Sequence, residues 1–261
     1  MARSAARALP PWLGGIAGVL SGLLGIGGGL VISPALAWRG LPLPRATGTA
    51  LAVVVPVACV AVLTELAQAP QQIHLLFALG IAVGGQGGAR LGALILRRLP
   101  AQGLRLAFIA LLLYAAARNA GLLGELPAAA PGSSPVLSGW TVLLVLGLGA
   151  AAGVCAVLFG VGGGVVVVPG LVLLVQGFPL RDAMATSLLA MIPTAAMGLV
   201  IAAREQRVER GVLPRLVVPA LGGAIVGVLL RNLALPTEQL AQAFAAFLLF
   251  VAWRLLRPQR A

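Results

Sequence analysis

The chain has 261 residues, of which 60% are hydrophobic and only 9% are charged, and its mean hydropathy is +1.06. A single aqueous core cannot absorb so much apolar surface, so the composition predicts an all-α integral membrane protein. The net charge of +12 comes from arginines that mostly lie at the ends of apolar segments. A nucleic-acid-binding face would require them to cluster, so no nucleic-acid partner is predicted.

Eight apolar runs follow one another along the chain. Six have about the 17 to 25 residues that a helix needs to span a bilayer. They lie near residues 46–64, 75–96, 104–123, 183–203, 212–230 and 240–256. Two longer runs, 9–38 and 138–176, contain glycine clusters. This order predicts a first membrane repeat over residues 1–125 and a second over 138–261, joined by a short loop at 126–137.

The two longer runs contain the same glycine-rich motif. AGVLSGLLGIGGGLVISP at 17–34 aligns without gaps with AGVCAVLFGVGGGVVVVP at 152–169. The alignment pairs two GxGGG clusters, Gly25, Gly27, Gly28 and Gly29 with Gly160, Gly162, Gly163 and Gly164. Interrupted hydrophobic segments at corresponding positions of two repeats indicate the substrate site of a membrane transporter.

The placement of the arginines predicts how these runs lie in the membrane. If each glycine-rich run crosses once, ten arginines lie inside and seven outside, which is a weak bias. If each run enters, turns at GxGGG and leaves on the same side, fourteen lie inside and three outside, as the positive-inside rule favours. Each repeat is then a re-entrant helical hairpin plus three transmembrane helices. The repeats are therefore inverted, and both termini are cytoplasmic.

A cleaved signal peptide is the alternative for the N-terminus, because Arg3 and Arg7 precede an apolar run. The same motif returns at 152–169, where no signal peptide can lie, and this favours a retained hairpin.

The GxGGG clusters are the predicted substrate-binding turns. Glycine accepts a positive φ and lets the backbone approach a ligand, and a helix that begins after such a turn offers N–H groups to an anion. Neither a Rossmann nor a P-loop spacing fits these clusters. The alternative is that the glycines only permit close helix packing. We favour packing for the other regularly spaced glycines, Gly14, Gly18, Gly22, Gly80, Gly84, Gly88 and Gly92.

Hydroxyl groups follow each hairpin at matching positions. ATGTA at 46–50 aligns with AMATS at 183–187, which pairs Thr49 with Thr186 and Ala50 with Ser187. Thr49, Thr186 and Ser187 are therefore candidates for binding the anion. The alternative is that their hydroxyls satisfy nearby backbone groups.

The segments GLLGIGGGLVISP with RATGTALAVVVP, and FGVGGGVVVVP with DAMATSLLAMIPTA, resemble the TauE/SafE family of sulfite exporter-like membrane permeases over nearly the whole chain. The resemblance implies a permease for sulfite, an organosulfonate or another sulfur-containing anion, in a bacterial inner membrane. Two positions depart from the family's pattern. Ala50 stands where serine is usual, and Val157 replaces the glycine seen at Gly22.

Ionisable residues inside a membrane are costly and often functional. Arg90 lies seven residues before Arg97, about 10 Å deeper along a helix, and is a candidate for pairing with the substrate's charge. The alternative is that its long stem reaches the cytoplasmic interface. Glu65, His74 and Asp182 lie near segment ends, and each is predicted to be a solvated terminus.

The sequence thus predicts a secondary transporter that binds a small anion and alternates access about the paired hairpins. No cluster of nucleophiles or acid–base groups occurs in the predicted spans, so no enzyme activity is predicted. Cys59 and Cys155 lack metal-ligand spacing, and neither a metal nor a cofactor is predicted. The bilayer and the anion are the expected partners, while the coupling ion and a homo-oligomer are left open. The alternative function is a membrane accessory or assembly protein.

Overall fold

A computed structural model of the chain describes residues 10–98, 109–110, 113–114, 116–117, 139–175 and 177–256. These residues form helices joined by short loops, and no strand occurs among them. The predicted span at 104–123 lies outside the described residues except for six helical positions, and the loop at 126–137 lies wholly outside them.

We number the helices in chain order. They are α1 (Trp12–Leu24), α2 (Gly29–Trp38), α3 (Leu43–Gln68), α4 (Leu75–Arg98), α5 (Gly139–Phe159), α6 (Gly164–Leu174), α7 (Leu180–Arg204), α8 (Leu213–Leu229) and α9 (Thr237–Leu256). Short 3₁₀ turns at Pro70–Gln72 and Arg210–Val212 precede α4 and α8, and a π-helical turn at Leu230–Ala234 extends α8.

Five helical segments are long and apolar enough to cross a membrane. They are Leu43–Gln68, Leu75–Leu94, Gly139–Phe159, Leu180–Arg204 and Arg210–Ala234. Four correspond to predicted spans, and the fifth is α5, which the sequence assigned to a hairpin run. The apolar parts of α1, α2, α6 and α9 are shorter. The described part of the chain is therefore helical and apolar enough for an integral membrane protein, as the composition predicted.

Glycines bring α1 against α8 and α4 against α5. A β-carbon at Gly18 would collide with the carbonyl oxygen of Ala220, and one at Gly153 would collide with that of Gly85. Gly18 and Gly153 occupy equivalent positions of the aligned motifs, so the first helix of each repeat packs on a helix of the other. Close packing was the role predicted for Gly18, and the structure confirms it.

Helices α3 and α7 contact each other, and α3 also packs on α8 while α7 packs on α4. Each helix follows a tight turn in which a glycine has positive φ, 84° at Gly40 and 74° at Gly177. Pro42 and Pro179 cap the two helices with extended backbone, at ψ of 138° and 145°. These turns place the first residues of α3 and α7 beside the glycine clusters.

Candidate functional site

Two glycine turns separate α1 from α2 and α5 from α6. We call residues 25–28 tip 1 and residues 160–163 tip 2. Gly25 and Gly27 have φ of 66° and 64°, and the three glycines of tip 2 have φ between 70° and 92°. Side chains other than hydrogen strain such backbone, which explains why glycine stands there. The tips differ at their fourth residue, where Gly28 has a φ of −53° and Gly163 one of 92°.

The two tips contact each other. A β-carbon at Gly29 would collide with the carbonyl oxygen of Gly160. One at Gly164 would lie 2.5 Å from the carbonyl oxygen of Gly25. The central residues Ile26 and Val161 are each only 1% exposed. The structure therefore brings the two predicted clusters together and buries both in the protein.

Each tip also packs on the repeat to which it does not belong. A β-carbon at Gly25 would lie 2.5 Å from the carbonyl oxygen of Met184 in α7, and one at Gly160 would lie 2.7 Å from the Thr47 Cα in α3. Further along α7, the Met191 sulfur lies against both Gly27 and Gly162. Helices α3 and α7, which we call the central helices, thus contact the tips from both sides.

Helices α2 and α6 begin at the tips. Their first hydrogen bonds run from Val31 N–H to the Gly28 oxygen, at 3.1 Å, and from Val166 N–H to the Gly163 oxygen, at 3.0 Å. The N–H groups of the first turn of a helix have no acceptor within that helix and carry a partial positive charge. Because the tips touch, two such helix starts lie side by side, which suits an anion.

Ser187 lies beside tip 1, and its hydroxyl donates a 2.9 Å hydrogen bond to the Gly25 carbonyl oxygen. Ala50 occupies the equivalent position in α3 and is fully buried, but it has no hydroxyl to donate. The departure of Ala50 from the family's pattern thus makes the support of the two tips unequal.

Thr49 and Thr186 make equivalent hydrogen bonds to loops of the opposite repeat. The Thr49 hydroxyl accepts from the Glu209 N–H at 2.9 Å and donates to the Arg45 oxygen at 2.7 Å. The Thr186 hydroxyl accepts from the His74 N–H at 3.1 Å. Both hydroxyls therefore have backbone partners in this conformation.

Arg90 is exposed on the surface of α4, and the structure does not bring it to the tips. Gln86, one turn earlier, instead donates a 3.0 Å hydrogen bond to the Pro193 carbonyl oxygen of α7.

Two buried serines beside tip 1 were not predicted from the sequence. Ser21 of α1 and Ser33 of α2 are 0% and 3% exposed, and neither hydroxyl has a hydrogen-bond partner among the described residues. Ala156 and Val168 stand at the aligned positions of α5 and α6. The alignment of the two repeats contained this signal, a hydroxyl in one copy opposite an apolar side chain in the other.

The tips are closed in this structure. The crevice beside tip 1 is too narrow for a water molecule and is lined by small or apolar residues, Ala17, Gly18, Gly28, Ile32, Val53, Val54, Val57 and Ala220. A ligand can reach this point only if the surrounding helices move.

The prediction that Glu65 is a solvated terminus is wrong. Glu65 and Arg231 are both 0% exposed and form an ion pair, in which the Arg231 Nη2 donates to the Glu65 Oε2. The end of α3 is covered by α8, a tertiary contact that residue spacing does not reveal. His74 and Asp182 pair through Nε2 and Oδ2 at 2.8 Å, and each side chain is 21% exposed.

The described residues are helical, include five segments long and apolar enough to cross a membrane, and bring two buried glycine turns together, which are features of a membrane transporter. The family model for Sulfite exporter TauE/SafE matches residues 2–119 and 145–261. The chain belongs to this family, which confirms the resemblance seen in the sequence. It is a transmembrane permease, and its family implies the transport of sulfur compounds and not an enzymatic reaction. No curated protein and no solved structure matches the chain.

Proposed function

We propose that the protein is a secondary permease for a small sulfur-containing anion, such as sulfite or an organosulfonate. The carrying observation is that the starts of α2 and α6 meet at two buried tips that glycines keep free of side chains. Such helix starts bind the anionic group of a substrate in other transporters. Binding and movement need no covalent chemistry.

The architecture in this proposal is an inverted repeat with two re-entrant hairpins. The packing of the two aligned copies supports this architecture. In each copy, the tip and the first helix pack on helices of the other copy. The return arms α2 and α6 have 10 and 11 residues, which corresponds to about 15 and 17 Å. That is half of a hydrocarbon core of about 30 Å, so each tip would lie near the midplane, with both termini in the cytoplasm of a bacterial cell.

The proposed binding groups are the backbone amides of the tips and of the first turns of α2 and α6. Ser187 holds tip 1 through the Gly25 carbonyl, and Thr49 and Thr186 tie the start of each central helix to a loop of the opposite repeat. In alternating access, the two repeats then move relative to each other and these contacts between them change. The movement opens one face of the tips at a time.

Flux into proteoliposomes that contain only the purified chain tests this proposal. Sulfite, sulfate, thiosulfate, sulfoacetate and chloride are compared, with protein-free liposomes as the blank. We expect saturable flux for at least one sulfur-containing anion. Gly87→Ala is the matched control, since a β-carbon at Gly87 meets no other atom within 4 Å, and it should transport normally. Absence of flux for every anion would favour the accessory-protein alternative.

A further inference from the structure

Glu65 and Arg231 are the charged side chains that the described residues bury completely. Moving each charge out of water costs several kcal/mol, and the attraction between the two offsets this cost only when the remaining polar atoms are also satisfied. Ionisable groups that are buried in a membrane protein often serve ions or substrates. The pair is therefore a candidate for a function besides packing.

The hydrogen bonds of this pair leave one polar atom of each side chain without a partner among the described residues. The Glu65 Oε2 accepts from the Arg231 Nη2 and, at 3.2 Å, from the Asn232 Nδ2. The Glu65 Oε1 and the Arg231 Nη1 have no partner among the described residues. Pairs of a guanidinium and a carboxylate frequently share two parallel hydrogen bonds, and this pair makes one. Here one nitrogen of the arginine fork remains able to donate to another oxyanion.

The backbone that carries Arg231 is irregular. Arg231 lies in the π-helical turn at Leu230–Ala234, and such turns are frequent at functional sites. Arg181 supports the turn, because its Nη1 donates to the Arg231 carbonyl oxygen at 2.6 Å and its Nη2 donates to the Leu235 oxygen.

Other titratable groups surround the pair. Asp182 and Arg181 of α7 act electrostatically on Arg231, and His74 pairs with Asp182. The acidic residues Glu65 and Asp182 and the basic residues Arg181 and Arg231 together carry no net charge, so a compensating positive charge would favour the entry of an additional anion. A proton on a carboxylate is the simplest such charge.

We propose that Arg231 is an anion-binding site on the transport path, and that Glu65 occupies it when no anion is present. When an anion binds the Arg231 guanidinium, the Glu65 carboxylate leaves and takes up a proton from water. Arg231 keeps its charge, and the negative charge of a monovalent anion replaces that of the carboxylate, so the site then stays neutral. This inference rests on the proposed function and identifies the coupling ion as a proton.

The site is separate from the tips. Val54 of α3 lies against Gly162 of tip 2, and Glu65 follows it by eleven residues, about 16 Å along the helix. Arg231 would therefore be a second binding site for an anion that moves between the tips and this end of α3.

Proton uptake on anion binding tests the proposal. Sulfate, thiosulfate, sulfoacetate or methanesulfonate, which do not buffer near neutral pH, is added to the full-length protein in weakly buffered detergent with a pH-sensitive dye. We expect uptake of about one proton per bound methanesulfonate, which is monovalent, and of at least one proton per bound divalent anion. Glu65→Gln should bind the anion without proton uptake. The matched control His74→Gln should keep the uptake, since His74 pairs with Asp182 and not with Glu65.

Loss of the uptake in His74→Gln together with its survival in Glu65→Gln would overturn the proposal. Binding by the wild-type protein without any uptake would overturn the coupling alone and leave the proposed function intact. If none of the four anions binds, both the proposed function and this inference fall.

A second variant covers the case in which Glu65→Gln does not fold because Arg231 is left unpaired. The double variant Glu65→Gln with Arg231→Gln removes both charges, which proteins tolerate better than loss of one partner. We expect it to bind the anion about tenfold more weakly and to take up no proton. Wild-type affinity and uptake in the double variant would show that the pair is only structural.

Discussion

The Ser187 hydroxyl donates a 2.9 Å hydrogen bond to the carbonyl oxygen of Gly25 and so joins the central helix α7 to tip 1. Ala50 is the equivalent residue in α3, and its side chain cannot make this bond to tip 2. Both tips are glycine turns, but the hydrogen bond from a central helix supports tip 1 and not tip 2.

Replacing Ser187 by alanine should destabilise the protein by about 1–3 kcal/mol, because the Gly25 carbonyl oxygen is left buried without its donor. Thermal unfolding of the purified variant in detergent measures the effect. The reciprocal change Ala50→Ser should leave the protein equally stable or more stable, since it offers the same bond to tip 2. A Ser187→Ala protein that unfolds at the wild-type temperature would mean that the bond contributes nothing.

Gly163→Ala should lower the affinity for the anion while the variant still folds and elutes as the wild type does. The added methyl group imposes strain at a φ of 92° but meets its nearest atom, the Ala152 oxygen, only at 3.0 Å. The comparison is Gly18→Ala, which collides with the backbone of α8 and should impair folding without selective loss of binding. Binding is measured on protein that elutes as wild type. Normal affinity of such Gly163→Ala protein would assign the tip glycines a structural role only.

Thr49→Val and Thr186→Val should each destabilise the protein by about 1 kcal/mol, because each removes the acceptor of a loop N–H. If these hydroxyls serve only the loops, anion affinity should fall little in variants that fold. A tenfold or greater loss of affinity with unchanged unfolding temperature would instead place the hydroxyls at the bound anion. Equilibrium binding and thermal unfolding on the same preparations separate the two outcomes.

Arg90→Gln should leave anion affinity unchanged, because Arg90 is exposed on α4 and does not reach the tips. The measurement is a binding curve for the anion that gives the largest flux. Weaker binding by a normally assembled variant would show that Arg90 acts on the substrate, as the sequence first suggested.

Single cysteines test the hairpin topology. In a background with Cys59 and Cys155 replaced by alanine, Arg39→Cys should react only with a membrane-permeable reagent if the proposed first hairpin returns to the cytoplasmic side. Glu238→Cys, which lies outside in both topologies considered, should react with an impermeable reagent and serves as the control. Reaction of Arg39→Cys with the impermeable reagent in intact cells would contradict the re-entrant hairpin.

The amino-acid sequence was enough to predict the class of the protein and its family, both of which are confirmed. Apolar composition, helix-length runs and paired GxGGG clusters each follow from requirements that act locally along the chain, because backbone groups must pair within helices in a membrane and positive φ demands glycine. Four of the five segments that are long and apolar enough to cross a membrane coincide with predicted spans, and the predicted close packing at Gly18 was confirmed.

Only the tertiary structure shows which side chains contact each other. It placed Glu65 against Arg231, far away in the sequence, gave the hydroxyls of Thr49 and Thr186 backbone partners from the opposite repeat, and left Arg90 on the surface. None of these outcomes could be read from spacing, because every one depends on how the two repeats pack against each other. A helix end that looks solvated in sequence becomes buried when another helix covers it, and the energetic role of its charge is then set by the partner found there.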